Sequence, residues 1–257
     1  MYEGMAETGA ADLWYWDTGG DGEPVLLFHP ASQSCQVWEH QRRAFAAAGL
    51  RVIAYSRRGH HKSPEGNPEQ PGTSIGDALA LLDYLKVAKA HVLGAAGGGI
   101  VAMGLAVAHP ARVSKLIMAG TIFSPDEPDW RALYARLEIA KVRPHVSTEF
   151  LELGPAYRAG NPAGVERFKE LAKLSTHHGP AKQPLGVRVD WPAMQRLQNP
   201  ALLVTGEADL YAPPPVQDLV ARHLPNRRLA TLPLVGHSPY WEAPEAFNRL
   251  CLDFLAE

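Results

Sequence analysis

Residues His91 to Ala108 carry the pattern most suggestive of chemistry: a short apolar run, then Gly94-Ala95-Ala96-Gly97-Gly98-Gly99, then a helical segment stopped at Pro110. A Gly-x-nucleophile-x-Gly turn between strand and helix needs small flanking residues. Its central residue is held in a strained backbone conformation, with its side chain above the sheet. Residues 94–98 meet that spacing everywhere except at the centre, where Ala96 offers only a methyl group. A phosphate-binding reading of the same glycines is unsupported, because no G-x-G-x-x-G register and no Lys-Ser/Thr follows. A metal site has no support either: His60-His61 and His177-His178 are adjacent pairs whose side chains diverge, and H-E-x-x-H spacing is absent. These histidines are expected on loops or the surface, with His177 or His178 able to meet a substrate from an inserted segment. Cys35 lacks a neighbouring charge that would make it a thiolate.

The elements around this turn must position it. Short apolar runs alternate with helical patterns, which predicts a mainly parallel sheet covered on both faces. Strands are expected at Asp12–Asp17, Val25–His29, Arg51–Tyr55, His91–Gly94, Lys115–Ala119, Ala201–Thr205 and Arg228–Leu232, the first two as a hairpin across a Gly-rich turn. Helices are expected at Cys35–Ala48 with Gly49 just beyond the end, Ser74–Leu85 with Ser74 as its start, Ile100–Ala108, Pro215–His223 and Pro244–Leu255. From about Phe123 to Pro192 the composition changes: amphipathic pieces at Trp130–Lys141 and Gly164–Leu174 are broken by prolines, with no strand pattern. This stretch reads as a helical insertion. The chain has 257 residues, 46% of them hydrophobic, and a formal net charge of −2, enough for one sizeable core and no argument for nucleic acid or an anionic membrane. No run approaches the length of a bilayer span. The first residues lack a basic start followed by an apolar core, so no secretory leader is expected, and two cysteines suit a reducing cytoplasm.

Taken in order, several motifs resemble the α/β-hydrolase family over essentially the whole chain. They are His29-Pro30-Ala31 after the first buried strand, Arg57-Arg58-Gly59-His60-His61-Lys62-Ser63 after the next, and the turn at Gly94–Gly98. Gly206-Glu207-Ala208-Asp209 follows a late strand, and Gly236-His237 precedes the final helix. The resemblance implies an α/β-hydrolase fold, with residues 1–122 and 193–257 as core and 123–192 as a helical cap. It implies a triad in the order Ala96 (nucleophile position), Asp209 (acid) and His237 (base), with Asp209 preferred to Glu207 as the fourth residue of Gly-x-x-Asp. It also implies an oxyanion hole from the amides of Gly97 and Ala31. The family's usual His-Gly is His29-Pro30 here, and proline removes only its own N–H.

A methyl group can neither attack a carbonyl nor yield a proton, so three readings of Ala96 remain open. One is a Ser→Ala replacement that leaves the rest of a serine hydrolase intact. Another is a natural serine-free hydrolase or lyase in which His237 activates water or shuttles a proton. The last is a ligand-binding protein, disfavoured because binding has no need of the Asp209 and His237 pair. Haloalkane dehalogenation is disfavoured, since it needs an aspartate at position 96. The expected substrate is a small to medium apolar ester, lactone or β-diketone-like compound, with no cofactor, no metal, no nucleic acid and no membrane partner. A homodimer through an apolar edge of the insertion is left open. Candidate substrate-facing residues are Ser32, Trp38, Trp130, Tyr134, Tyr157 and Trp241, with Arg131, Arg136, Arg143 and Arg158 as possible cations for a carboxylate. Core packing is an equal reading for Trp38 and Trp241.

Overall fold

A computed structural model describes residues 1–121, 127–175 and 183–257. Its centre is an eight-stranded sheet in the order β1-β2-β4-β3-β5-β6-β7-β8. The strands are β1 (Tyr2–Glu7), β2 (Asp12–Asp17), β3 (Pro24–Phe28), β4 (Arg51–Tyr55), β5 (Ala90–Ala95), β6 (Val113–Ala119), β7 (Ala201–Gly206) and β8 (Arg227–Leu232). From β4 to β8 every neighbouring pair is parallel, while β1–β2 and β2–β4 are antiparallel. Successive side chains of a strand alternate between faces. Accordingly Leu26, Phe28, Ile53, Tyr55, Val92 and Met118 pack in one core layer, and Val25, Leu27, Val52, Ala54, Leu93 and Ile117 in the other. Both layers are covered by helices, which is why these strands read as unbroken apolar runs.

The expected hairpin between β2 and β3 does not form. Residues Val25 to Phe28 are fully buried on both faces and lie between two parallel neighbours, β4 and β5. The antiparallel partners of β2 are β4 and β1, and β1 has the half-exposed burial of an edge strand, which leaves no clear strand pattern in the sequence.

Helices α1 (Glu39–Ala47), α2 (Ser74–Tyr84) and α3 (Gly97–Ala108) connect the first strands. A short 3-10 turn over Cys35–Trp38 precedes α1, and Gly49 follows it at φ 88°, the left-handed conformation expected past a helix end. Thr73, not Ser74, caps α2: its hydroxyl accepts the Gly76 N–H at 3.0 Å. Helix α3 starts three residues earlier than the apolar pattern suggests, directly after Ala96.

Between β6 and β7 the described residues form only helices: α4 (Pro128–Ala135), α5 (Ile139–Val142), α6 (Thr148–Glu152), α7 (Pro155–Gly160), α8 (Pro162–Ser175) and α9 (Trp191–Gln195). The boundary expected after Pro192 falls inside α9, whose Trp191 and Met194 pack with the sheet's core. Phe123, His177 and His178 lie outside the described residues. The chain closes with α10 (Pro214–Arg222), α11 (Pro239–Glu242) and α12 (Pro244–Ala256). No described helix is long and apolar enough to cross a membrane.

Candidate active site

The loops leaving the carboxyl ends of β3, β5, β6, β7 and β8 carry the residues of interest, the edge at which open parallel sheets place their ligands. Ala96 stands between β5 and α3 with φ 47° and ψ −118°. A non-glycine residue in such a conformation costs about 1–3 kcal/mol and persists only when its surroundings over-determine it. They do so here through the backbone. The Ala96 N–H donates to the Ala119 carbonyl at 2.9 Å, and the Gly99 N–H donates to the Ala96 carbonyl at 3.0 Å. Helix α3 lies so close to β3 that a Cβ on Gly98 would overlap the Phe28 and His29 carbonyls. The sharp turn is therefore set by close packing of glycines, without help from the side chain at 96.

On the loop after β8, the His237 Nδ1 lies 2.9 Å from both carboxylate oxygens of Asp209. A carboxylate accepts, so Nδ1 carries the proton and Nε2 is left as the basic nitrogen. The Tyr211 and Ala212 N–H groups donate to Asp209 Oδ1 at 2.7 and 2.9 Å, fixing the carboxylate. Burial works against a charged imidazole, but the charge and hydrogen bond of Asp209, with the charge of Glu242 behind it, outweigh that and raise the His237 pKa above its ordinary value. This is the setting in which an imidazole takes up a proton readily.

The third part is a pair of amides. A Cβ built on Gly97 would sit 3.6 Å from the Ala31 nitrogen, so the two backbones lie side by side. Among the described residues neither N–H donates to a protein acceptor. Two histidines hold the Ala31 loop from behind. His60 Nε2 lies 3.1 Å from the Ala31 carbonyl and its Nδ1 3.1 Å from that of Arg58. His29 lies with its Nδ1 2.8 Å from the Pro30 carbonyl, while its Nε2 accepts the Arg57 N–H at 2.9 Å. Burial drives the His29 pKa well below its ordinary value and lowers that of His60, with the Arg57 charge adding to both. His60 thus lies on a loop, as expected, but is a buried scaffold residue rather than a surface histidine.

A family model described as "Alpha/beta hydrolase family" matches residues 25–250. The chain belongs to this family. It is 28% identical over 263 residues to a Mycobacterium tuberculosis protein named as a non-heme bromoperoxidase, a match covering 94% of this chain and 97% of that one. It is 29% identical over 262 residues to the 2-hydroxy-6-oxo-6-phenylhexa-2,4-dienoate hydrolase of Burkholderia cepacia, covering 92% and 89%. Among solved structures, a thermophilic esterase from Thermogutta terrifontis superposes with a TM-score of 0.79 at 25% identity, covering 100% of this chain and 98% of the other. The α/β-hydrolase fold expected from the motifs is therefore established, and the chain belongs to a family of hydrolases.

The candidate substrate-facing residues of this hydrolase separate clearly. Ser32 is at the site, its hydroxyl donating to Glu152 Oε2 at 2.7 Å. Tyr134 is near it, its phenol pKa raised by burial and by the charge of Asp209. Trp130 stacks on Tyr134 with ring centroids 5.4 Å apart and is itself buried. Trp38 and Trp241 are core residues, so of their two readings the structure takes core packing over pocket walls. Trp38 packs on Tyr240, and Trp241 on Phe168 and His40 with its Nε1–H donating to the Gly164 carbonyl. Trp38 ends the 3-10 turn before α1 and Trp241 lies in α11, where each buries a large aromatic surface. Tyr157 packs against that same layer, beside Trp241. Of the candidate arginines, the charge of Arg143 reaches Glu152, Tyr134 and Tyr211, while Arg158 is spent on the Leu153 carbonyl at 2.6 Å. Cys35 is buried, and burial pushes its thiol pKa up to about 12, which removes it as a nucleophile.

Four residues at the site escaped sequence reading. Gly120, at φ 52°, leaves no room for a side chain, because a Cβ would lie 3.1 Å from His237 Nδ1 and 3.2 Å from Asp209 Oδ2. The Tyr211 ring lies 4.7 Å from the His237 ring, and burial pushes its phenol pKa up to about 12. The Glu242 carboxylate accepts the N–H groups of Gly236 and Ser238, which flank His237, and of Gly154. Glu152 brings a second carboxyl to the site. Only Tyr211 carried a local signal, two positions past Asp209.

Proposed function

We propose that this chain hydrolyses an ester, a lactone or the carbon–carbon bond of a β-diketone-like compound, with a small to medium apolar substrate held between Ala31, Ala96, Gly97 and His237. The observation that carries this reading is a buried, doubly bonded Asp209–His237 pair at a site that also holds two adjacent unengaged amides. His237 Nε2 removes a proton from the attacking group, and Asp209 stabilises the imidazolium. The Ala31 and Gly97 amides receive the charge that grows on the substrate oxygen, prearranged donors of this kind being worth about 3–4 kcal/mol each.

Residue 96 is the nucleophile position. A serine there attacks, forms an acyl-enzyme and is released by water. The alanine present here leaves water as the attacking group, deprotonated by His237. The strained backbone at Ala96 supports the first half of this statement, since it is the conformation a nucleophile needs and a methyl group does not. The buried Glu152 carboxyl, bonded to Ser32 next to Ala31, supports the second, since it adds a proton-handling group that an acyl-enzyme route leaves idle. The apolar preference rests on Trp130, Tyr134 and Tyr211 around the site.

The test is to compare the chain as it stands with its Ala96→Ser variant on short-chain esters, alongside a serine-directed phosphonate probe. Slow turnover by the parent that is lost in His237→Ala, together with labelling confined to the serine variant, is the expected result. No turnover in either form, with tight binding of a small ligand, overturns hydrolysis in favour of a binding protein.

A further inference from the structure

Glu152 ends α6 with only 9% of its surface exposed. Its Oε2 accepts the Ser32 hydroxyl at 2.7 Å, and among the described residues no group bonds its Oε1 and no cation forms an ion pair with it. Two backbone contacts fix where this carboxyl lies. On one side Ser32 directly follows Ala31, whose amide adjoins that of Gly97. On the other, Gly154, two residues past Glu152, packs so tightly on the loop before His237 that a Cβ there would lie 2.8 Å from the Gly236 nitrogen. The Gly154 N–H and the Gly236 N–H share the Glu242 carboxylate. Glu152 is therefore held between the loop of the two amides and the loop of the imidazole.

A carboxylate buried with one neutral hydroxyl as its partner is costly, and keeping its proton removes that cost. Burial accordingly raises the Glu152 pKa, against the pull of His237, Ser32 and Arg143. In its protonated form this carboxyl donates from Oε1, because Oε2 accepts the Ser32 hydroxyl.

We propose that Glu152 is a second catalytic residue of this site, the acid that protonates the leaving oxygen of an unactivated ester or lactone. The proposal rests on the water-attack reading given above. His237 Nε2 takes a proton from water as the water oxygen bonds to the carbonyl carbon, and the negative charge settles on the carbonyl oxygen against Ala31 and Gly97. When that intermediate collapses, the bond from carbon to the alkoxy oxygen breaks and the departing oxygen takes the proton of Glu152. The imidazolium then returns its proton to the Glu152 carboxylate. One water is consumed, one acid and one alcohol appear, and both side chains end as they began. The division of work also fits alkyl esters and lactones better than aryl esters, because an alkoxide is a poor leaving group without a proton.

The experiment compares an ethyl ester with the 4-nitrophenyl ester of the same acid, for the parent chain, Glu152→Gln and Glu152→Asp. A 4-nitrophenolate leaves without protonation. Glu152→Gln is expected to lower kcat/KM on the ethyl ester about 100-fold and on the nitrophenyl ester by less than about threefold, while Glu152→Asp keeps the parental ratio of the two. Equal losses on both esters, or none on either, overturn the proposal and leave the hydrolase reading standing. The ratio within one variant is unaffected by partial misfolding. Turnover confined to Ala96→Ser overturns the water route and this proposal together, and no turnover in any form overturns hydrolysis itself.

Discussion

The two halves of the site are held by different means. The imidazole half depends on side chains. Asp209 orients His237, two amides orient Asp209, and Glu242 gathers the N–H groups on either side of His237. The elbow half depends on backbone. Ala96 keeps its φ of 47° because Gly94, Gly97, Gly98 and Gly99 let α3 press against β3 and its own N–H is bonded to β6. Replacing a side chain at position 96 therefore leaves the turn in place, whereas replacing one at 209, 237 or 242 takes away a support. This explains how a hydrolase-family chain can carry alanine at its nucleophile position with the rest of the site intact.

The largest effect should come from the imidazole half. His237→Ala is expected to lower kcat by about 10²- to 10⁴-fold in the parent and in the Ala96→Ser background, measured by steady-state ester hydrolysis. A loss in only one background would mean that the two forms do not share their base. Glu242→Gln should cost about 1–3 kcal/mol in denaturant unfolding, because a charged acceptor of three buried N–H groups becomes a neutral one. An unchanged midpoint would show that the loop around His237 does not need this clamp.

The pH dependence sharpens the same half. The base must be neutral, and its pKa is raised above 6.5, so turnover should climb with pH through a midpoint above that value. Glu242 is one of the carboxylates that favour the imidazolium, so Glu242→Gln should move the midpoint down. A midpoint at or below 6.5 in the parent would contradict the charge environment described for His237.

The elbow half gives the smallest signal. Glycine tolerates positive φ, so Ala96→Gly should relieve strain of about 1–3 kcal/mol against about 1 kcal/mol of added chain entropy. A net gain of about 1 kcal/mol in unfolding free energy is expected. Destabilisation instead would show that the methyl group packs usefully and that the turn is not strained.

Much of the core could be read from residue order. Strands Asp12–Asp17 and Arg51–Tyr55 were placed to the residue because apolar runs bounded by turns have few other uses in a chain of this composition. Strand β1 was not, since an edge strand with a half-exposed pattern resembles a loop. At the site, residues 96, 209 and 237 lie in short motifs that follow strands, where local spacing carries information. Glu152 lies in a helix of the insertion and looks like Glu166 and Glu170, which are exposed on α8. No local pattern distinguishes a buried carboxyl from a solvated one.

The sequence by itself determined the alternation of strand and helix, the glycine-packed turn and the chemical types at positions 96, 209 and 237. These depend on neighbours a few residues away, and local sterics and hydrophobic periodicity act at that range. The tertiary structure alone decided that Glu152 meets Ser32, that Glu242 also reaches Gly154 of the insertion and that Gly120 must stay bare beneath the Asp209–His237 pair. Those contacts join segments 88 to 120 residues apart, or loops brought together only when the sheet closes, and burial at such distances is fixed by packing rather than by order along the chain.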